Sequence, residues 1–445
     1  MAIYHSMATS EIPIAQVRNN LAGSSPAVWD SVKEYLPTFL TEFAVMASQV
    51  AVYKMAAAYL GKEGFSEYAL ARRTVSLIFP IPVLGLAVGL PRNIGFSHGR
   101  NDPDTAARYY GATLWCVVGA ALVCTVLLNT FARTFGYVFF GDRGYGRLAL
   151  PLSLLILGLC LHTVACGYFR GHLKLGPANL LQFLNLAVLP MLAFCLRHSL
   201  RTILMGLGLA WIATATTALS LTPLQVVMQN NWKEARELMR YGLQRVPGDF
   251  ILMALFTLPA TVVAHLWGVR EAGFVAFGIS VVSMIGAVFS PTGLVLLPKA
   301  TRMIAEEQRK ELREHVGLIL RVTVTASVAL VGVIWVVMPA LIRAYFGADF
   351  SRIVPIVRVL LLGALPYSVY LVARNLVDAY HKDGVTAAIL FVGLSVFGVG
   401  LYWATKSGLR LQTVLLDFVA AQVVICLLAG WECQRILRKQ ETAIP

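Results

Sequence analysis

A small set of charged side chains falls within or at the ends of strongly apolar stretches of this chain: Glu42, Lys54, Arg72, Arg73, Asp249, Arg374 and Asp378. Ionisable groups in such places are costly to bury and are usually kept for a purpose. Glu42 and Asp249 are acids at matching positions of two similar halves. Such a pair can couple movement to a proton or Na⁺ gradient or act in gating; it can equally stabilise helix N-termini by charge–dipole attraction. Lys54 lies deep in the same apolar stretch, twelve residues beyond Glu42, with no acid in helical reach. Arg72 and Arg73 open the next stretch, where they either snorkel to a membrane interface or hold an anionic group. Arg374 and Asp378 are four residues apart, the spacing of an internal ion pair, with a ligand contact as the other reading.

Residues for catalysis are not assembled in this sequence. Asp102-Pro103-Asp104 matches a metal-binding acidic motif, but Asp, Pro and Asp in that order also open a helix as cap, first-turn proline and first-turn acid. The helical opening is the simpler reading. The eight histidines are dispersed, and the seven cysteines (116, 124, 160, 166, 195, 426 and 433) show neither metal-ligand nor disulfide spacing. No phosphate-binding loop or hydrolase elbow occurs. We expect no enzyme, no cofactor and no metal site.

The elements that carry these charges are membrane helices. The chain is 58% hydrophobic and 13% charged, outside the range of soluble globules. Stretches of about 20 apolar residues recur near 36–60, 69–91, 107–131, 147–169, 178–196, 202–227, 249–268, 273–297, 315–340, 353–378, 385–404 and 409–431. The expected fold is all-α and polytopic, with twelve transmembrane helices in two six-helix repeats. The repeat is visible directly. Glu42-Phe43 recurs as Asp249-Phe250, Gly61 as Gly268, Arg92 as Lys299, Phe140-Gly141 as Phe346-Gly347, Gly158 as Gly363 and Gly176 as Gly384, at offsets of 205 to 208 residues. Six spans per copy make the repeats parallel, and substrate sites of such transporters lie between repeats. The expected organisation is a cytoplasmic N-terminal segment (1–32), an N-lobe (33–227), a linker (228–246), a C-lobe (247–432) and a cytoplasmic tail (433–445).

The formal charge of +14 is spread over many short loops, with no basic domain for nucleic acid. Anchoring against anionic membrane lipids accounts for it. Lys and Arg favour the side of the termini, most clearly in the loop at 299–314, which predicts both termini inside. In the linker, Trp232, Ala235, Met239 and Leu243 alternate with charged residues and predict an amphipathic helix lying on the cytoplasmic surface. Pro80, Pro82 and Pro91 in the second span, and Pro291 and Pro298 in the eighth, predict broken helices that line a cavity.

Four segments carry a family resemblance: "ACGYFRGHLKLGPANLLQFLNLAV", "RVPGDF", "LPKATRMIAEE" and "AYFGADFSRIVPIVRVLLLGALP". In order and position they resemble the multidrug/oligosaccharidyl-lipid/polysaccharide (MOP) flippase superfamily, and within it the O-antigen and capsule type of polysaccharide flippase. The resemblance covers about residues 35 to 430. It implies a bacterial inner-membrane transporter whose helices one, two, seven and eight line a central cavity. It implies alternating access for a polyprenyl (undecaprenyl) pyrophosphate-linked oligosaccharide, with polysaccharide polymerase and glycosyltransferases as partners. Lys54, Arg72, Arg73 and Arg374 are then candidates for the pyrophosphate and sugars, and Glu42, Asp249 and Asp378 for ion coupling or gating. A multidrug cation antiporter shares the fold and is the competing reading.

Overall fold

The structure, a computed structural model, describes residues 24–195, 199–222, 232–305, 308–381, 384–408 and 410–442. Most of the expected N-terminal segment, the end of the tail, residues 223–231 and a few loop residues lie outside this set. Every regular element among the described residues is helical. In chain order they are α1 (Ser24–Ile78), α2 (Pro80–Val83), α3 (Leu86–Gly99), α4 (Pro103–Thr130), α5 (Ala132–Phe140), α6 (Ala149–Gly171), α7 (Leu175–Phe183), α8 (Leu189–Cys195), α9 (Leu200–Ser220), α10 (Trp232–Trp267), α11 (Val269–Ala305), α12 (Arg309–Phe346), α13 (Ile353–Tyr380), α14 (Val385–Lys406) and α15 (Leu411–Thr442).

Eleven helical stretches are long and apolar enough to cross a membrane, and the first of these, Leu36–Val83, contains two crossings. Its 48 residues would extend about 72 Å as one helix, against a hydrocarbon core of about 30 Å. The chain instead turns back at Gly61, which has φ 66° and ψ −167°. The Tyr53 and Tyr68 rings consequently lie 5.7 Å apart, although a continuous helix would separate them by about 22 Å. Gly268, with φ 87°, makes the matching reversal between α10 and α11. A side chain at either position would be strained, so the recurring glycines are fixed by backbone geometry.

The repeat places other matched residues in matched environments. Gly158 on α6 lets α9 approach closely, its missing side chain facing Trp211 and Gly208, and Gly363 on α13 faces Phe418 and Gln422 of α15 at ordinary contact distance. Small residues at such crossings bring helix backbones together where no hydrophobic force distinguishes protein from lipid. Each group of six crossings forms a lobe, with α6 central in the first and α13 in the second. Large apolar side chains such as Trp115, Val126, Val336, Phe391 and Leu427 are exposed on the outside. An apolar exterior of that extent suits a lipid surround.

Four expectations need correction. The second crossing begins directly after Gly61, not near 69, so Arg72 and Arg73 sit about three turns into it and not at its mouth. The same reversal places Lys54 only about two turns from the hairpin, not deep in the span. The eighth span is not broken: α11 is helical from Val269 to Ala305 through Pro291 and Pro298. In the second span the break is real, with Leu84 (φ 55°) and Gly85 (φ 68°) both left-handed between α2 and α3. Finally, the linker is not a separate surface helix but the start of α10, continuous with the seventh crossing. Its expected apolar face, Trp232 and Met239, is exposed, while Glu234, Leu238 and Gly242 are buried. The docking partners on the N-lobe are polar, so the acid is what packs inward.

Candidate functional site

The lobes close on each other at the end carrying Gly61, Gly141, Gly268 and Gly347, here called the hairpin end. Gly273 of α11 lies so near Ser66 of α1 that an added Cβ would fall 2.1 Å from the Ser66 Cα. The Ser66 hydroxyl donates to the Arg270 carbonyl (3.0 Å). Around this contact Phe65 is fully buried among Phe274, Phe277, Phe346 and Phe350, with centroid distances of 5.3 to 6.4 Å. Lys62 pairs with Asp349 across the seam at 3.3 Å. Edge-to-face aromatic packing of this kind adds about 0.5–1.5 kcal/mol per pair beyond burial.

Arg73 is the polar centre of the seam. Its Nη2 donates to Ser280 (2.8 Å) and Ser283 (3.4 Å), and its Nε to the Ala276 carbonyl (3.4 Å). Tyr53 shares a hydrogen bond with Ser280 at 2.8 Å. Thr257 of α10 donates to the Arg73 carbonyl. A buried guanidinium left without these acceptors would be strongly unfavourable, so they hold the lobes together only while all are in register.

Arg72, the preceding residue, points the other way, into the N-lobe. It lies over the rings of Tyr53 and Tyr68, 5.3 and 6.0 Å from their centroids. Its Nη1 is buried with no hydrogen-bond partner among the described residues. It borders a cavity of about 270 Å³ lined also by Ser48, Gln49, Tyr68, Ser76 and Trp211 amid apolar side chains. Among the described residues lining this cavity none is acidic, and Arg72 is the one cation.

Backbone irregularity borders the same cavity. Leu184–Val188 forms a π-helical segment between α7 and α8. The Asn185 carbonyl accepts from Trp211 Nε1, and the Ala187 carbonyl accepts from Ser48 at 2.7 Å. Asn185 also bonds His162 (3.1 Å) and Thr214 (2.6 Å). Single-turn π segments are frequent at functional sites because they release carbonyls from the ladder. The sequence carried no reading of this segment: its residues are ordinary helix formers, and the wider turn is set by Ser48, Trp211 and Thr214 from elsewhere in the chain.

The remaining candidates are dispersed. Glu42 accepts from Gln182 (2.7 Å), which in turn accepts from Arg170, so this acid is tied within the N-lobe. Asp249 is half-buried at the start of the seventh crossing and does interact with neighbours. Lys54 is exposed, with its ammonium 5.0 Å from the centroid of Tyr345, whose hydroxyl donates to the Val50 carbonyl. Arg374 and Asp378 form the i, i+4 pair at 3.8 Å, and Asp378 also accepts from Thr386. Tyr367 lies within electrostatic reach of both Arg73 and Arg374. The structure therefore brings Arg73 and Arg374 toward one tyrosine but does not gather Lys54, Arg72 and Arg374 at one point. Sequence inspection missed Ser280, Ser283 and Tyr345, whose roles depend on partners more than two hundred residues away. Asp102 caps α4 as expected, accepting from the Thr105 amide (2.9 Å) and hydroxyl (2.6 Å). Those bonds hold its carboxyl below the usual carboxylate range. Among the described residues no cluster of His, Cys, Asp and Glu is placed to hold a metal.

Comparison with known proteins gives a consistent answer. Residues 37–175 match the MatE family. Stage V sporulation protein B of Bacillus subtilis (strain 168) is 19% identical over 419 residues, 86% of this chain and 79% of that one. The fold superposes on a structure described as the inward-facing conformation of a multidrug resistance MATE family transporter of the MOP superfamily, with TM-score 0.76, 14% identity and coverage of 90% of this chain and 96% of that one. Together these make the chain similar to the MOP superfamily, in sequence over residues 37–175 and in fold over most of its length. A second superfamily member is described as a transporter from Pyrococcus furiosus Vc1 (DSM3638) whose binding pocket of reverse polarity suggests a different function. It aligns with TM-score 0.63 and 13% identity over 93% of this chain and 96% of that one. A polytopic, transporter-like helical fold is thus the frame in which the N-lobe cavity and the Arg73 seam sit.

Proposed function

We propose that this transporter is a flippase that moves a polyprenyl pyrophosphate-linked oligosaccharide from the cytoplasmic to the outer leaflet of a bacterial inner membrane for surface polysaccharide synthesis. The observation that carries this reading is Arg72: a buried guanidinium nitrogen without a partner, in a cavity with no acidic lining. A basic residue in that setting favours a phosphate or other anion. A cationic drug would instead meet repulsion there. The cavity, about 270 Å³, is also smaller than pockets that enclose drug-sized ligands, roughly 300–1,000 Å³. It suits a charged head group, with the sugars left in the wider space between lobes and the lipid tail in the bilayer.

With the loop at 299–314 inside, the sealed hairpin end faces outward and the transporter is open to the cytoplasm. Cargo then enters at the linker end. Opening toward the outside requires release of Arg73 from Ser280 and Ser283 and separation of Lys62 from Asp349. Freed Arg73, with Arg374 beyond Tyr367, would extend the basic path for the pyrophosphate. Glu42 and Asp249 remain the candidates for coupling to a proton or Na⁺ gradient.

Depletion of the protein in its own cells tests the proposal. The expected result is accumulation of lipid-linked glycan in the cytoplasmic leaflet with loss of the surface polymer. Normal glycan in both leaflets, with heightened sensitivity to cationic drugs, would overturn it in favour of the multidrug antiporter of the same fold.

A further inference from the structure

The first turns of α10 sort their charges by sign. Glu234 is 8% exposed and accepts from Arg108 Nε at 2.9 Å, while Glu237 accepts from the Tyr109 hydroxyl at 2.6 Å. Leu238 and Gly242 continue the buried stripe, at i+4 and i+8 from Glu234. On the opposite side Lys233, Arg236 and Arg240, at i, i+3 and i+7, are all exposed, with Trp232 beside them at 78% exposure. Residues at this spacing share one helix face. The N-lobe thus buries Glu234 and holds the carboxylate of the exposed Glu237 through Tyr109, leaving a face of three cations flanked by that one tethered acid, with an indole at its edge.

The depth of that face is set by its docking partners. Arg108 and Tyr109 lie in the first two turns of α4, whose 28 residues span about 42 Å against a hydrocarbon core of about 30 Å. The helix overhangs the core by several residues, so these turns stand among lipid head groups. Trp prefers that level, and Lys and Arg there attract anionic lipid, each cation being worth roughly a fivefold gain in affinity.

We propose that Lys233, Arg236, Arg240 and Trp232 form a binding face for anionic phospholipid head groups, which holds the start of the seventh crossing at the membrane surface. It is independent of the cargo site, because its residues lie outside the N-lobe cavity and the Arg73 seam. The occupant is the anionic bilayer surface, chosen by charge complementarity and by depth.

The test uses the full-length protein in mixed micelles of phosphatidylglycerol and phosphatidylcholine, with retained lipids counted by native mass spectrometry. The wild type should retain phosphatidylglycerol preferentially. K233Q/R236Q/R240Q should lower that preference at least fivefold, while R133Q/R143Q, exposed cations at the hairpin end, should not. Equal retention by wild type and the triple variant, or equal loss in both variants, would overturn the proposal. A second readout does not depend on the triple variant folding. The Trp232 share of fluorescence, taken as wild type minus W232F, should be quenched in vesicles containing brominated phosphatidylglycerol more than in vesicles containing brominated phosphatidylcholine. Equal quenching by the two would equally count against an anionic-lipid face.

Discussion

The two lobes carry one repeated pattern and the same six crossings, yet their backbones differ where transport chemistry would be expected. In the N-lobe the second crossing unwinds at Leu84-Gly85 and the fifth widens into a π segment at Leu184–Val188. Their counterparts in the C-lobe, α11 and α14, are regular throughout. The N-lobe interior holds a cavity bordered by Arg72, whose guanidinium stacks on Tyr53 and Tyr68 and whose Nη1 has no hydrogen-bond partner among the described residues. In the C-lobe interior Phe256 packs on Tyr367 and Phe418 at 4.7 and 5.6 Å, and Arg374 is paired with Asp378. Irregular backbone is stored at functional positions because the surrounding packing can support it. Under the proposed function the difference is one of division: the C-lobe is the more regular counterpart, and the N-lobe is the side proposed to take the charged group first.

The contrast can be broken most severely at the seam that both lobes share. Gly273→Leu would drive a side chain into the Ser66 backbone and cost more than about 3 kcal/mol of hairpin-end closure. Disulfide cross-linking between cysteines placed at Lys62 and Asp349 should fall more than tenfold, and cross-linking at the wild-type rate would contradict the seam as described. Next, Arg72→Gln should reduce cargo translocation at least about tenfold, the equivalent of about 1.4 kcal/mol, with little loss of folded protein. Arg374→Gln, on the regular lobe, should reduce it less than about threefold. Equal losses in the two variants would erase the proposed division between lobes.

A smaller effect is expected from Ser280→Ala with Ser283→Ala, which removes both side-chain acceptors of Arg73. The Ser283 contact is long at 3.4 Å, so the loss is close to that of the single Ser280 bond, and a hydrogen bond to a charged group contributes at least about 1.5 kcal/mol. Spin-label distances between positions 62 and 349 should therefore shift toward the open hairpin end by about tenfold in population. Gly85→Ala adds a Cβ at φ 68° and should cost about 1 kcal/mol of stability, measurable by denaturant unfolding. The smallest change concerns the Asp102 cap. Its folded-state carboxyl is depressed below the usual value of about 3.9, so its contribution is present above that value and is lost as pH falls through the depressed one. Asp102→Ala should abolish this acid-range loss in the helicity of α4, leaving neutral-pH transport unchanged.

Much of this architecture is legible in the residues. Twelve crossings follow from apolar stretches of membrane length, and the recurring Gly61/Gly268 and Gly141/Gly347 prove to be left-handed turns because only glycine takes those angles without strain. The Asp102-Pro103 helix opening and the Arg374–Asp378 pair are local, and local chemistry reads well. The split fates of Arg72 and Arg73 are not local. Adjacent residues on one helix point into different lobes, and which one finds acceptors depends on Ser280 and Ser283 far along the chain. The linker misled for the same reason. Its Trp and Met spacing suggests a separate surface helix. The structure leaves that face exposed but runs the segment straight into the seventh crossing, with Arg108 and Tyr109 binding its acids. The prolines of the eighth span also failed as a guide, since α11 stays helical through them.

The most direct test of the central claim is translocation by the purified protein. In proteoliposomes loaded with undecaprenyl pyrophosphate-linked oligosaccharide, the fraction of glycan accessible to an impermeant glycosidase would be followed over time. A flippase predicts a rise in the accessible fraction that depends on the protein and falls at least about tenfold in Arg72→Gln. No rise over protein-free vesicles, with uptake of a cationic dye by the same preparation, would contradict the account.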